Sequence, residues 1–396
     1  MTESLLNFRD EHARITATLV RKFGPQHLDS ILDATQEAFL AALQSWPLQG
    51  EPTNPAAWLT TAAERRLIDH LRKTRRETEL PEQEPPAPDS SIPAEHDELR
   101  LYFLLCSPKL KFSEQVCLIL RTLGGLTSLE IARLLHESEE AVQRRISRAK
   151  NKLNPEDLEV HDPEGSLPTV LLALYLLFTE GYEATRGEDY LRADLAVEAL
   201  RLTQQLANLT GNNNPNFHAL LALMHFNISR LPARTNQDGL PILLKDQDPV
   251  LYDRSHIAAG FYHIERAQAA TELSRYHLEA GLAASIASGA TTKELLYWHE
   301  LLIERFPNPL SQLSHAIAIG THHGPQRGLD ALHDLKSDPR ITKTPHYYSA
   351  FGHFYAELGN RKSAAAAYKK AIGLTMSIPT KISLEQRYAE LIEPAQ

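Results

Sequence analysis

An all-α fold is the expectation for this chain of 396 residues, on three observations. Ala, Leu, Glu, Gln and Arg recur at helical spacing along nearly the whole length, whereas alternating runs rich in Val, Ile and Thr are scarce. Helix-start signals recur, with Ser, Thr or Asn ahead of an apolar periodic run and Glu or Pro just behind. The C-terminal end carries a helical-repeat spacing.

The length allows two to four domains, each able to bury a core. A net charge of −9 opposes nucleic-acid affinity of the chain as a whole. Basic residues nevertheless concentrate at 65–76 and 144–152, and between them runs an acidic stretch with Glu77, Glu79, Glu82, Glu84, Asp89, Glu95, Asp97 and Glu98. Cys106 and Cys117 stand outside any CxxC spacing and inside apolar helical patterns, which reads as two buried thiols rather than a metal pair. With no signal-peptide run and no apolar stretch of membrane-spanning length, a soluble cytoplasmic protein is expected, with no cofactor and no metal.

The first block is expected at 1–76. A helix over 28–46 places Ile31, Leu32, Thr35, Ala38, Phe39, Ala42, Leu43 and Trp46 on a wide apolar band, with Asp29, Asp33, Gln36 and Glu37 on the polar side. A loop over 47–55 follows, and Asn54-Pro55 is an N-cap ahead of a Pro at the first helical position. The helix from 56 to about 73 buries Trp58, Leu59, Ala62, Leu67 and Leu71, with Arg65, Asp69, Arg72 and Arg76 along its outer face. Residues 77–93 are acidic and Pro-rich, a composition that packs no core and predicts an extended linker.

A second block is expected at 94–154. Its end, GGLTSLEIARLLHESEEAVQRRISRAKNKL at 124–153, reads as two short helices joined by a tight turn. Thr127 with Glu130 forms a capping box, and Ser138 caps the second helix, whose first turn holds Glu139 and Glu140. Val142, Ile146, Ala149 and Leu153 form a buried stripe, while Glu140, Arg144, Ser147 and Asn151 face the other way, flanked by Gln143 and Arg148. A stripe facing a first helix, with an Arg-rich outward face, is the arrangement that sets a helix into a major groove. A connector is expected at 155–166.

The third block is expected at 167–396. Tyr348, Phe351, Gly352, Tyr355, Ala364, Tyr368 and Ala371 fall at tetratricopeptide (TPR) offsets, and a degenerate copy places Ala316, Ile319, Gly328 and Leu332 at four of them. A TPR-like α-helical repeat domain is therefore expected.

The two basic segments together resemble a known family. The run at 32–77 resembles region 2 of sigma-70 family transcription initiation factors, a helical bundle, and the run at 113–153 resembles their region 4, a helix-turn-helix domain. Nothing long enough for a region 3 separates them, and no region 1 is expected ahead of them, the layout of the extracytoplasmic-function (ECF) group. The stretches at 176–202 and 232–248 are similar to the long TPR-type extension of one ECF subgroup, in which the extension is required for activity. The resemblance implies an RNA polymerase sigma factor that is not an enzyme. Its implied partners are core RNA polymerase, through the β′ clamp coiled coil and the β flap, promoter double- and single-stranded DNA, and a small DGPF/YCII-like protein.

It also implies roles. Asp33, Gln36, Glu37 and Phe39 would meet the clamp coiled coil. The loop 48–54 and Arg65, Arg66, Arg72, Lys73, Arg75 and Arg76 would meet the −10 element. There, strand opening needs a basic groove for phosphates and a place for an unpaired base. Trp58 reads as core, so that base falls to the loop, through Asn54 or backbone groups. At the −35 element, Arg144 and Arg148 would contact bases or phosphates, with Gln143 and Ser147 in support, Lys150 on phosphate, and Thr127 and Ser128 at a helix N-terminus. The acidic linker would either occupy the polymerase channel that later receives RNA or fold back on the basic helices.

Two other classes compete. A helix-turn-helix regulator with a ligand- or partner-sensing repeat domain would footprint promoter DNA without polymerase. An enzyme in the third block would draw on Glu180, Asp189, Asp194, Asp246, Asp248, His315, His322 and His323, but no HExxH, Gly-rich phosphate loop or nucleophile elbow supports one. The Glu180–Gly181–Tyr182 and Asp246–Gln247–Asp248 stretches read instead as docking or partner contacts.

Overall fold

The computed structural model describes residues 2–78, 97–153, 163–209 and 214–392, and 78% of it is helical. The expected linker from 79 onward and most of the connector lie outside the described residues. The chain divides into two compact units, Met1–Leu177 and Phe178–Gln396.

The first unit opens with three helices, α1 (Thr2–Phe23), α2 (Leu28–Gln49) and α3 (Pro55–Thr78). Ile15 and Leu19 of α1, Ile31, Leu32, Ala34, Ala38 and Ala42 of α2, and Leu59, Ala63 and Leu67 of α3 are buried. The apolar band expected on α2 is narrower than its composition implied: Leu43 is 54% exposed, and Leu40, outside that band, is 57% exposed. The helix also runs further than expected, through Pro47 to Gln49, so the loop shortens to 50–54. Gly50, at φ 85°, ends it by donating its N–H to the Trp46 carbonyl at 2.9 Å. Asn54 caps α3 as expected, accepting from the Ala57 N–H at 3.0 Å.

Next come α4 (Asp97–Leu104), α5 (Phe112–Thr122), α6 (Ser128–Leu134) and α7 (Glu139–Lys150), followed by α8 (Pro163–Tyr182). Helix α4 packs on α1, and α7 packs on both α5 and α6. Both thiols are buried, Cys117 on α5 and Cys106 in the turn before it.

The second unit continues with α9 (Ala193–Leu209), α10 (Pro215–Ser229), α11 (Arg254–Ala267), α12 (Arg275–Ala287), α13 (Thr292–Arg305), α14 (Pro309–His323), α15 (Pro325–Asp334), α16 (Pro339–Thr342), α17 (Pro345–Glu357), α18 (Arg361–Leu374) and α19 (Ile378–Ile392). From α9 onward most helices pack against their chain neighbours. Glycines sit where large rings cross. A Cβ on Gly260 would lie 2.7 Å from Phe226, on Gly320 2.2 Å from Phe354, and on Gly352 2.7 Å from Tyr368. Phe354 is 1% exposed and cannot swing away. Gly320→Ala is therefore expected to cost about 1–3 kcal/mol by overpacking, seen as a lowered thermal midpoint of this unit.

The loop before α9 is tied down. Arg186 and Gly187 (β1) pair in parallel with Met376 and Ser377 (β2), ahead of α19. Glu180, fully buried, accepts from the Thr185 N–H at 3.1 Å and faces Arg192 at 3.5 Å. A Cβ on Gly181 would lie 2.4 Å from the Ala196 nitrogen, and the Arg234 guanidinium stacks 3.6 Å over the Tyr182 ring. Gln247 accepts from Arg230 at 2.9 Å, and Asp248 caps a short turn at Val250. The Glu180–Gly181–Tyr182 stretch thus packs within the chain, whereas in the other only Gln247 does, Asp246 and Asp248 being exposed.

Four imidazoles line the α10–α11 interface. His218 meets His263 and His225 meets His256, each Nδ1 to Nδ1 at 2.9 Å, and the His225 and His263 rings stack at 5.5 Å. Two neutral rings can share one N–H between two nitrogens, whereas two imidazolium rings have no acceptor to offer.

Candidate nucleic-acid interface

The helix-turn-helix forms as its local chemistry dictates. Thr127 Oγ1 accepts from the Glu130 N–H at 3.2 Å, while the Glu130 carboxylate accepts from the Thr127 N–H at 2.6 Å and hydroxyl at 2.7 Å. The Thr127 side chain offered to a phosphate is thus engaged in the cap, and Ser128 begins α6 half-buried. The turn closes with the Glu137 N–H on the Ala132 carbonyl at 2.8 Å and the His136 N–H on the Arg133 carbonyl at 3.1 Å. His136 takes φ 54°, among the described residues the one non-glycine in the left-handed region. Since a Cβ is strained there, His136→Gly is expected to stabilise the chain by about 1 kcal/mol in urea titrations.

Ser138 caps α7 through the Ala141 N–H at 3.2 Å. Val142, Ile146, Ala149 and Leu153 are buried. Gln143, Arg144, Ser147 and Arg148 are exposed on one face, where Gln143 bonds Glu139 at 3.1 Å and the Arg148 Nε bonds the Arg144 carbonyl at 3.3 Å. The other cations of this segment are used internally. Arg145 pairs with Glu137 at 2.6 Å and reaches the Cys117 sulfur at 3.6 Å, and Lys152 pairs with Glu114 at 2.8 Å. Burial pushes the Glu114 carboxyl up, but Lys152 and the Lys111 N–H outweigh it and hold it below the usual range. Lys150, offered to phosphate, pairs with Asp29 at the start of α2.

On α3, Arg65 is exposed and Arg72 and Lys73 continue the outward basic row. Arg66 turns back toward α2, 3.7 Å from Glu37, which also faces His70 at 3.3 Å. The side chains of Arg75 and Arg76 lie outside the described residues. Trp58 departs from the core assignment: it is half-buried and meets Trp46 edge-on at 5.6 Å. With Leu48, Thr61, Arg65 and Arg66 it lines a pocket of about 790 Å³ between the end of α2 and the start of α3. Asn54 is spent as a cap. The helical stripe of Trp58 was legible; which of two neighbouring surfaces it faced was not.

On α2, Asp33, Gln36 and Glu37 are exposed, as are Leu40 and Leu43, whereas Phe39 is half-buried and stacked 6.0 Å from His12. Among the described residues, no group of three or more His, Cys, Asp or Glu is arranged to hold a metal ion. No helix there is long and apolar enough to cross a membrane.

Residues 8–77 match sigma-70 region 2, and residues 100–153 match sigma-70 region 4. An uncharacterized protein of Rhizobium meliloti (strain 1021) is 32% identical over 378 residues, covering 90% of this chain and 88% of its own. The chain belongs to the sigma-70 family. Region 2 is α1–α3 with its pocket and basic row, and region 4 contains the helix-turn-helix. Sigma-70 factors are DNA-binding transcription initiation factors rather than enzymes, and core RNA polymerase and promoter DNA are the partners these regions imply. Residues 166–268 of this sigma factor match a family of unknown function, DUF6596. No solved structure matches it.

Proposed function

We propose that this sigma factor is of the ECF type, reads −10 and −35 elements through two separate basic faces, and carries a TPR-like extension that regulates it. The ECF reading is supported by the spacing between α3 and α4, where residues 79–96 are too few for a region 3 domain. The TPR-like reading is supported by sequential helix packing, with Gly352 under Tyr368 and with Ala364 and Ala371 of α18 fully buried. A small DGPF/YCII-like protein is the proposed partner of the extension.

The pocket beside Arg65 carries the −10 reading. An open complex needs a phosphate track next to an aromatic wall on which one unpaired base stacks; Arg65 lies with Trp58 in the pocket, and Arg72 and Lys73 extend the basic row further along α3. Stacking is worth about 1–3 kcal/mol per base. Trp58→Ala is therefore expected to lower open-complex formation at least fivefold, read by permanganate reactivity of the −10 thymines, with core-polymerase affinity unchanged. The exposed strip of Asp33, Gln36, Leu40 and Leu43 on α2 is the proposed docking face for the clamp coiled coil; Glu37 shares it while tethering Arg66. Arg144 and Arg148 carry the −35 reading, with Gln143 and Ser147 beside them. Run-off transcription with core polymerase tests the whole assignment: promoter-dependent transcripts support it, and a footprint of the free protein on duplex DNA without any polymerase requirement overturns it.

A further inference from the structure

The extension begins inside the promoter-reading unit. The first compact unit ends at Leu177, so most of α8 is part of it, well past the region 4 match that stops at residue 153. Three contacts seat this stretch on region 4. Thr169 Oγ1 donates to Gln115 Oε1 at 3.0 Å, and the same amide donates to the Ser107 carbonyl at 3.0 Å. Ser166 hydrogen-bonds the Cys106 thiol in the turn before α5. A Cβ on Gly124 would lie 2.8 Å from Leu177 Cδ1 and 2.7 Å from the Leu120 carbonyl, so the loop after α5 has room for glycine alone. Val170 and Leu174 are 0% exposed. Helix α5 holds the recognition helix as well, through Glu114 to Lys152 and Cys117 to Arg145. Gln115, which α8 grips, is the chain neighbour of Glu114, which pairs with Lys152 just past the end of α7.

We propose that Pro163–Leu177 is a fifth helix of region 4 rather than a spacer, and that recognition of the −35 element requires it. A helix that sets the position of α5 sets that of α7 as well, because two cross-links and the buried face of α5 join them. The extension thereby acts on promoter choice through the one helix it shares with region 4. The inference rests on the reading of region 4 as the −35 reader, and the thiols allow its structural half to be tested without DNA.

The experiment uses the full-length chain in Cys117→Ser and Cys106→Ser backgrounds, each combined with Leu174→Asp, Leu174→Ala or Thr169→Val. Thiol modification rates are followed with a small aromatic disulfide, and run-off transcription is measured on a −35-dependent promoter. Leu174→Asp is expected to speed modification of Cys106 at least tenfold, leave Cys117 sealed beneath α7, and reduce transcription at least tenfold. Should that variant unfold the whole chain, Leu174→Ala and Thr169→Val decide, with a threefold or greater rise at Cys106 alone expected. Unchanged Cys106 reactivity in every folded variant overturns the fifth-helix assignment. A Cys106 response with undiminished transcription overturns the requirement for promoter recognition. If the unsubstituted chain drives no promoter-dependent transcript, the sigma reading itself fails, while the thiol rates still decide the place of α8.

Discussion

Alanine at both Arg144 and Arg148 is expected to reduce −35-dependent transcription by about a hundredfold or more, with core-polymerase binding and the thermal midpoint unchanged. Each well-placed Arg contact to a base is worth about 1–3 kcal/mol. The two side chains lie one turn apart on the exposed face of α7, opposite the buried Val142, Ile146 and Ala149, so truncating them removes no packing. Arg145, between them in sequence, behaves differently. It is bound to Glu137 and reaches Cys117, so Arg145→Ala lowers stability before it lowers DNA recognition. Filter binding to core polymerase, thermal melting and run-off transcription on matched and scrambled −35 elements separate the two cases. Parallel loss of polymerase binding in the Arg144/Arg148 variant would remove these residues from the promoter-reading face.

The second unit is expected to lose stability steeply between pH 6.5 and about 4. Burial, with the neighbouring His256 imidazole adding, pushes His225 down to about 4, and burial, with His225, His218 and Arg266 adding, pushes His263 down to about 4. In the folded chain both rings therefore stay neutral where the unfolded chain takes up protons. The unfolded state binds more protons below its own pKa of 6.5, so stability falls as pH falls through that value and levels off near 4. At pH 5 the loss for the pair is on the order of 2–4 kcal/mol. Urea titrations at pH 7.5 and 5.0 measure it, and His225→Gln is expected to reduce the difference by about half. An equal difference in that variant would assign the pH dependence elsewhere, with the half-buried His299, also pushed down to about 4 by burial and His315, as the next group to replace.

How much of this was legible follows from the range of each interaction. The Thr127–Glu130 capping box, the Ser138 and Asn54 caps and the α7 stripe were read correctly, because each is decided by residues within one or two helical turns. The α2 band was read too widely. Leu43 is apolar at helical spacing within that band, yet it is 54% exposed, whereas Ile31, Ala34, Ala38 and Ala42 are 0% exposed. Trp58 was read as core for the same reason: periodicity names a face without naming what it meets. The two histidine pairs have a sequence signal, His218 with His225 and His256 with His263, both at a spacing of seven, but it gains meaning only once α10 and α11 lie side by side.

The sequence by itself determined the expected helices of the promoter-reading blocks and their caps, because hydrogen bonds to neighbouring backbone and the 3.6-residue period are local, and the family was legible separately, in the resemblance of the segments at 32–77 and 113–153. Tertiary structure alone decided which distant groups meet. It joined Lys150 to Asp29, turned Arg66 onto Glu37, opened a pocket beside Trp58, and laid the first helix of the extension against region 4. Those outcomes depend on how helices far apart in the chain cross one another. Crossing is set by the shapes of whole buried faces, such as a glycine under a ring or an alanine under a helix, rather than by any one spacing.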